Sequence, residues 1–168
     1  MNAEQRREAI LNILRRADQP LSATALAGTF SVSRQIVVGD IALLRAAGAD
    51  ISATPRGYVM QQETTGFLYK VATRHTAENM EAELNAMVDQ GCTVVDVIVE
   101  HPIYGELTGA LDLSSRYDVK QFIQRSMETR PLSLLTEGIH LHTLSCPSEA
   151  AFLRVKEQLR SLGILLEG

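Results

Sequence analysis

The sequence predicts an α+β chain in two parts, and three observations carry that reading. Residues 1–60 show apolar residues at helical spacing and then two short extended runs around Pro55-Arg56-Gly57. Residues 67–163 order their segments as β-α-β-β-α-β-α, a pattern that packs as a mainly antiparallel sheet covered by helices. The charge divides at the same place. Residues 1–60 hold seven arginines, no lysine and five acidic residues, whereas residues 61–168 hold nine basic and fifteen acidic residues. A net +2 head therefore precedes a net −6 body, and the two parts call for different partners.

The head reads as follows. Ala9, Ile10, Ile13, Leu14 and Ala17 place one apolar face on a helix from Glu4 to Ala17. Asp18-Gln-Pro20 stops it. Ser22 is an N-cap for a short helix, Ala23 to Ala27, and Gly28 suits its end. Phe30 and Val32 plug a tight turn. Ser33 then caps a helix from Arg34 to Ala47, with Ile36, Val37, Ile41, Leu44 and Ala47 as its inward stripe and Gly48 as its stop. Ile51 to Met60 forms a hairpin around Pro55-Arg56-Gly57.

Three helices and a hairpin, with a short turn between the second and third helices, make a winged helix-turn-helix. The chemistry fits DNA at the expected places. Ser33 can hold a phosphate, Arg34 can pair with guanine and Gln35 with adenine in the major groove. Recognition helices present their N-terminal residues to the bases. Arg56, at the hairpin tip, is placed for a phosphate or the minor groove. The expected division is 1–62 for the DNA-binding domain and 63–168 for the body.

The body opens with a strand, Phe67 to Thr73, ending at Arg74-His75. Thr76 is the expected cap of a helix reaching about Gln90, with Met80, Leu84, Met87 and Val88 inward. Cys92 to Glu100 is β-branched and reads as a strand. His101 to Glu106 reads as a turn and Leu107 to Leu113 as the returning strand. Ser115 caps a helix from Tyr117 to about Glu128. Leu132-Ser-Leu-Leu135 leads to a strand in Gly138–Cys146, and Ser148 caps a last helix, Glu149 to Ser161. Asp96, a polar group in an apolar strand, receives no role.

Four histidines all fall in the body, at or near strand ends: His75, His101, His140 and His142. His140 and His142 are two residues apart in an alternating segment, so they share a face of one strand. Their Cα atoms would lie about 6.6–6.8 Å apart, within joint reach of one metal ion. Cys92 and Cys146 form no CxxC pair, and Cys146 reads as a buried structural cysteine.

Three segments carry a family resemblance: Arg74-His75-Thr76, Val99-Glu-His101-Pro-Ile-Tyr-Gly105 and Gly138-Ile-His140-Leu-His142. With them, nearly the whole chain resembles the niacin-responsive transcriptional repressors, which join a biotin-repressor-type winged helix to a three-histidine (3H) domain. The resemblance implies a repressor of NAD biosynthesis or niacin uptake genes, with nicotinic acid as corepressor. It also implies one divalent transition metal, bound by His75, Glu83, His140 and His142. Imidazole and carboxylate suit zinc or nickel. Periodicity does not separate Glu83 from Glu78 or Glu81 on the same helix. His101 reads either as a turn residue or as a hydrogen-bonding partner of nicotinate. Arg74 could pair the carboxylate and Tyr104 could contact the ring.

Two rival functions remain open at this level, a regulator for which the metal itself is the signal and a metal-dependent hydrolase. The second lacks GxSxG, HExxH and GxxxxGK[ST] motifs, and no enzyme is expected. No apolar run approaches the roughly 20 residues of a membrane span, and the expected location is the cytoplasm. A small recognition helix makes few contacts, so a homodimer on operator DNA is expected.

Overall fold

The structure is a computed structural model and describes residues 1–60, 66–127 and 138–168. The chain forms two compact units, Met1–Glu63 and Thr64–Gly168.

In the first unit, α1 (Ala3–Arg16) starts on a capping box: Asn2 accepts from the Gln5 amide, and Gln5 reaches back to the Asn2 amide. Ser22 caps α2 (Ala23–Phe30), accepting from the Ala25 amide at 3.0 Å. This helix runs three residues past the expected Ala27. Gly28 lies inside it, and the left-handed residue that ends it is Ser31, at φ 52°. Ser33 caps α3 (Arg34–Ala46) through the Ile36 amide. Strands β1 (Ile51–Thr54) and β2 (Gly57–Met60) pair antiparallel across the Pro55-Arg56 turn. Gly57 has φ +134°, and a Cβ there would lie 2.5 Å from the Leu21 carbonyl carbon, so glycine is required. Ile10, Leu14, Leu26, Val37, Ile41 and Ile51 form the core. Ile36, expected to face inward, is instead exposed.

The second unit holds β3 (Phe67–Arg74), α4 (Met80–Val88), β4 (Thr93–His101), β5 (Gly105–Leu113), α5 (Arg116–Ser126), β6 (Ile139–Cys146) and α6 (Glu149–Ser161). The sheet order is β3-β6-β4-β5, and every neighbouring pair is antiparallel. This is the expected α+β arrangement. Leu84 and Met87 of α4, Val119 of α5 and Val155 and Leu159 of α6 pack with Val71, Val94, Val99, Leu113 and Leu144 of the strands in one core. Residues Ile164–Leu166 run along the outer edge of β3. The Arg74 amide donates to the Ile164 carbonyl and the Leu166 amide to the Ala72 carbonyl, both at 2.9 Å.

Two departures from expectation bear on the site. Thr76 makes no side-chain cap; a 3-10 turn, Ala77–Asn79, precedes α4 instead. In β4 the register slips between Val94 and Asp96, so Val95 forms a bulge against β6. The expected end of α5 at Glu128 and the segment Leu132–Leu135 lie outside the described residues.

Candidate functional site

Register assembles the site. On β3 and β6, Thr73 pairs with His140 and Val71 with His142, so these residues share a face. Val97 of β4 pairs with His142 on the same face. That face lies under the helices. The 3-10 turn sets the phase of α4 so that Glu83 is buried with Leu84 and Met87, while Glu78 and Glu81 are exposed. Of the three glutamates, only Glu83 meets the histidines.

Three imidazoles converge on this one carboxylate. His142 Nε2 lies 2.6 Å from Glu83 Oε1, and His140 Nε2 lies 3.1 Å from each Glu83 oxygen. His75 Nε2 lies 2.6 Å from Glu83 Oε2. That contact lacks hydrogen-bond alignment, so His75 Nε2 is buried with no hydrogen-bond partner. The Thr73 hydroxyl donates to Glu83 Oε2 at 2.6 Å and sits 3.1 Å from His140 Nε2. All four ionisable side chains are at most 3% exposed.

The far nitrogens are pinned as well. His75 Nδ1 meets the Thr76 carbonyl at 2.6 Å, His140 Nδ1 the Gly138 carbonyl at 2.9 Å, and His142 Nδ1 the Asp96 carbonyl at 2.7 Å. A carbonyl only accepts, so each Nδ1 carries a proton. A ring that carries only that proton aims an Nε2 lone pair at Glu83, and one that gains a second proton pairs with it as an imidazolium. Backbone support of this kind fixes the tautomer and orientation of metal-binding histidines.

Burial would raise the Glu83 carboxyl, but the charge of His142 and the close contacts of His140, His142 and His75 hold it well below the ordinary carboxylate value. Burial would lower His75 and His142, yet Glu83 beside them raises both. Protons alone balance the site poorly. Three hydrogen-bonding Nε2 atoms would need three imidazolium charges around one carboxylate, far from water. A cation that accepts lone pairs removes that conflict and would give a partner to His75 Nε2, which has no hydrogen-bond partner. The ligand atoms of His75, Glu83 and His140 lie within 4.8 Å of one another. The donor set fits a divalent transition metal.

The other sequence-derived residues fall differently. His101 lies at the end of β4, which runs parallel to β3 by their shared pairing with β6, so His101 and His75 stand at the same end of the sheet. Its Nδ1 accepts from the amides of Ile103 and Tyr104 at 3.1 and 3.3 Å, a turn role that leaves the ring proton on Nε2. The Tyr104 ring lies 5.0 Å from the His101 ring and is exposed. Arg74 is not brought to the cluster. It pairs with Ile139, and strand alternation turns it to the opposite face from Thr73. Cys146 sits at the far end of β6, about 13 Å along the strand from His142. Its Sγ is 2.7 Å from that of Cys92, and its thiol is pushed up to about 12, first by burial and then by Cys92.

In the first unit, Ser33, Arg34 and Gln35 are exposed at the start of α3. Arg56 is half-buried in the hairpin turn, with its guanidinium 3.4 Å from Gln19 Oε1. Sequence reasoning missed Thr73, Gly138 and Asp96. Thr73 could be found by alternation, since it lies two residues before His75, which follows directly on β3. Gly138 and Asp96 act through backbone carbonyls, which leave no mark in side-chain pattern.

The 3H domain pattern matches residues 69–168 and an HTH domain pattern matches residues 6–59. The chain is 43% identical over 166 residues to a protein of Thermotoga maritima named probable transcription repressor NiaR, covering 98% of this chain and 95% of that one. It is 40% identical over 168 residues to the transcription repressor NadR of Bacillus subtilis, covering 96% of this chain and 93% of the relative. The helix-turn-helix unit, the histidine-rich sheet and these likenesses lead to one conclusion. The chain belongs to the 3H-domain family, as a DNA-binding transcription repressor of the NiaR and NadR type.

Proposed function

We propose that this protein represses genes of NAD biosynthesis or niacin uptake, with nicotinic acid as corepressor and one nickel or zinc ion per chain. The observation that carries the reading is the convergence of His75, His140 and His142 on Glu83 within the 3H part of a repressor chain. Residues 1–62 serve as the DNA-binding domain and 63–168 as the regulatory domain. His75, Glu83, His140 and His142 hold the metal, and Thr73 holds one oxygen of Glu83. When bound, the metal supplies a coordination position for the ring nitrogen of nicotinate. His101 Nε2–H donates to the ligand's carboxylate, and Tyr104 covers the ring. Their place at the same end of the sheet as His75 supports these roles, whereas Arg74 faces away. In the head, Ser33 and Arg56 hold phosphates, while Arg34 and Gln35 read bases. A homodimer would present two such heads to paired half-sites.

A second reading has the metal itself as the signal. The deep burial of all four ligand side chains favours it, since an ion needs less room than an aromatic acid. One experiment separates the two. DNA binding is followed by fluorescence anisotropy with metal and nicotinic acid varied independently. Tighter binding on adding nicotinic acid to metal-loaded protein, lost in His101→Ala, supports the first. A response to metal alone supports the second. A response to neither refutes both.

A further inference from the structure

We propose that the outward face of α3 reads thymine methyl groups, with Ile36 and Leu43 as the side chains that touch them. The inference rests on the operator-binding role of the head and adds the base chemistry that it selects.

Ile36 and Leu43 lie seven residues apart, two turns along one side of α3, and are 43% and 56% exposed. Their neighbours Val37 and Ile41 are at most 2% exposed, so the head already has its apolar stripe and these two lie outside it. Between them on the outer side is Gly39. A Cβ at Gly39 would meet nothing within 4 Å, so packing inside the head does not require glycine there. A glycine inside a helix weakens it relative to alanine. Its use at an open position fits a surface that another molecule approaches closely.

Charge identifies that molecule. The single carboxylate of α3 is Asp40, and it is turned inward. It is 4% exposed and is held by Arg6 at 2.6 Å and Arg7 at 3.6 Å, both from α1. The exposed arc of α3 is left without an acidic group, and exposed Arg34 and Arg45 run along its far rim, about half a turn around the helix from Ile36 and Leu43. A cationic rim facing an aliphatic rim across one helix complements the major groove of DNA. Phosphates line its walls, and the thymine C5-methyl is the apolar group on its floor. Gln35, on the same outward side, adds a hydrogen-bonding partner suited to adenine. Together these residues select A·T pairs. The face continues directly from the helix start that recognition helices present to bases.

The test uses the full-length protein and DNA enriched from a pool of random duplexes at fixed salt. The tightest duplex is remade with deoxyuridine for thymidine, which removes only the methyl groups. The wild-type protein should lose affinity by about fourfold for each buried methyl group. In Leu43→Ala and Ile36→Ala the affinity for the thymidine duplex should fall, and the thymidine-to-deoxyuridine ratio should shrink toward one. Because both side chains are exposed, the melting temperature of these variants should stay near that of the wild type. Equal wild-type affinity for the two duplexes would overturn the inference while leaving operator binding intact. So would a variant whose ratio is unchanged, or one that alters only self-association in light scattering, which would assign the face to a second copy. If no sequence is enriched over the pool, operator reading itself fails, and the inference fails with it.

Discussion

Glu83 and its three imidazoles must be balanced either by protons or by a metal ion, and the two balances respond to pH in opposite senses. In metal-free protein, His75 and His142 are raised above their ordinary value of 6.5. Their contribution to stability is complete below that value and is lost as pH rises through the raised ones. Glu83 is lowered below 4.5, so its contribution is complete above 4.5 and is lost as pH falls through the lowered value. Chelated protein should therefore melt highest between about pH 4.5 and 6.5 and lose melting temperature toward pH 8. Metal-loaded protein should do the reverse over the upper part of that range, because ions compete with protons for the same Nε2 atoms. Calorimetric scans of both forms at several pH values check this; parallel slopes would show that no metal replaces those protons. At this scale the sequence was partly legible. Alternation alone placed His140 and His142 on one face. It could not choose Glu83 over Glu78 and Glu81, because the 3-10 turn that sets the phase of α4 has no side-chain signature. The carbonyls that orient the rings belong to the backbone, and sequence pattern is blind to them.

The elements carry their own tests. Gly138 immediately precedes β6 at φ +87°, and a Cβ there would come 2.1 Å from the His75 carbonyl oxygen. Its own carbonyl accepts from the His75 amide at 3.3 Å and from His140 Nδ1 at 2.9 Å. Gly138→Ala should cost at least about 1–3 kcal/mol from backbone strain alone. It should also lower bound metal, since two histidines depend on the same loop; urea denaturation and elemental analysis measure the two losses. At the other end of the chain, Ser33→Ala removes the cap of α3. The expected loss is about 1 kcal/mol, with weaker operator binding as the turn bearing Arg34 and Gln35 frays. Caps explain much of what was legible in the elements. Ser22, Ser33, Ser115 and Ser148 each cap the helix expected of them. Thr76 breaks the pattern. Its carbonyl holds His75, and its side chain makes no cap bond. The bulge at Val95 was also hidden, although it gives Asp96 both of its tasks: a carbonyl for His142 and a carboxylate oxygen that accepts from the Thr143 amide at 3.0 Å.

For the whole molecule, the order of elements was legible because every segment kept its own period, 3.6 in the helices and 2 in the strands. The coupling between parts is a matter of thermodynamics. If nicotinic acid tightens operator binding, operator DNA must tighten nicotinic acid binding by the same factor, typically 1–3 kcal/mol. Titration calorimetry of nicotinic acid, with and without saturating operator, should give that equality. A factor of one, nicotinic acid binding equally with and without operator, would mean that the two sites are not coupled. Light scattering should return twice the mass of one chain at micromolar concentration. A lone chain on a single operator would remove the paired-half-site geometry.

The segment Ile164–Leu166 covers the outer edge of β3, the strand that carries Thr73 and leads into His75. A bare strand edge is a template for other chains. The segment thus guards solubility as well as register. Trimming the protein after Gly163 would strip partners from the Ala72 carbonyl and the Arg74 amide, and would leave a sheet able to recruit its own copies.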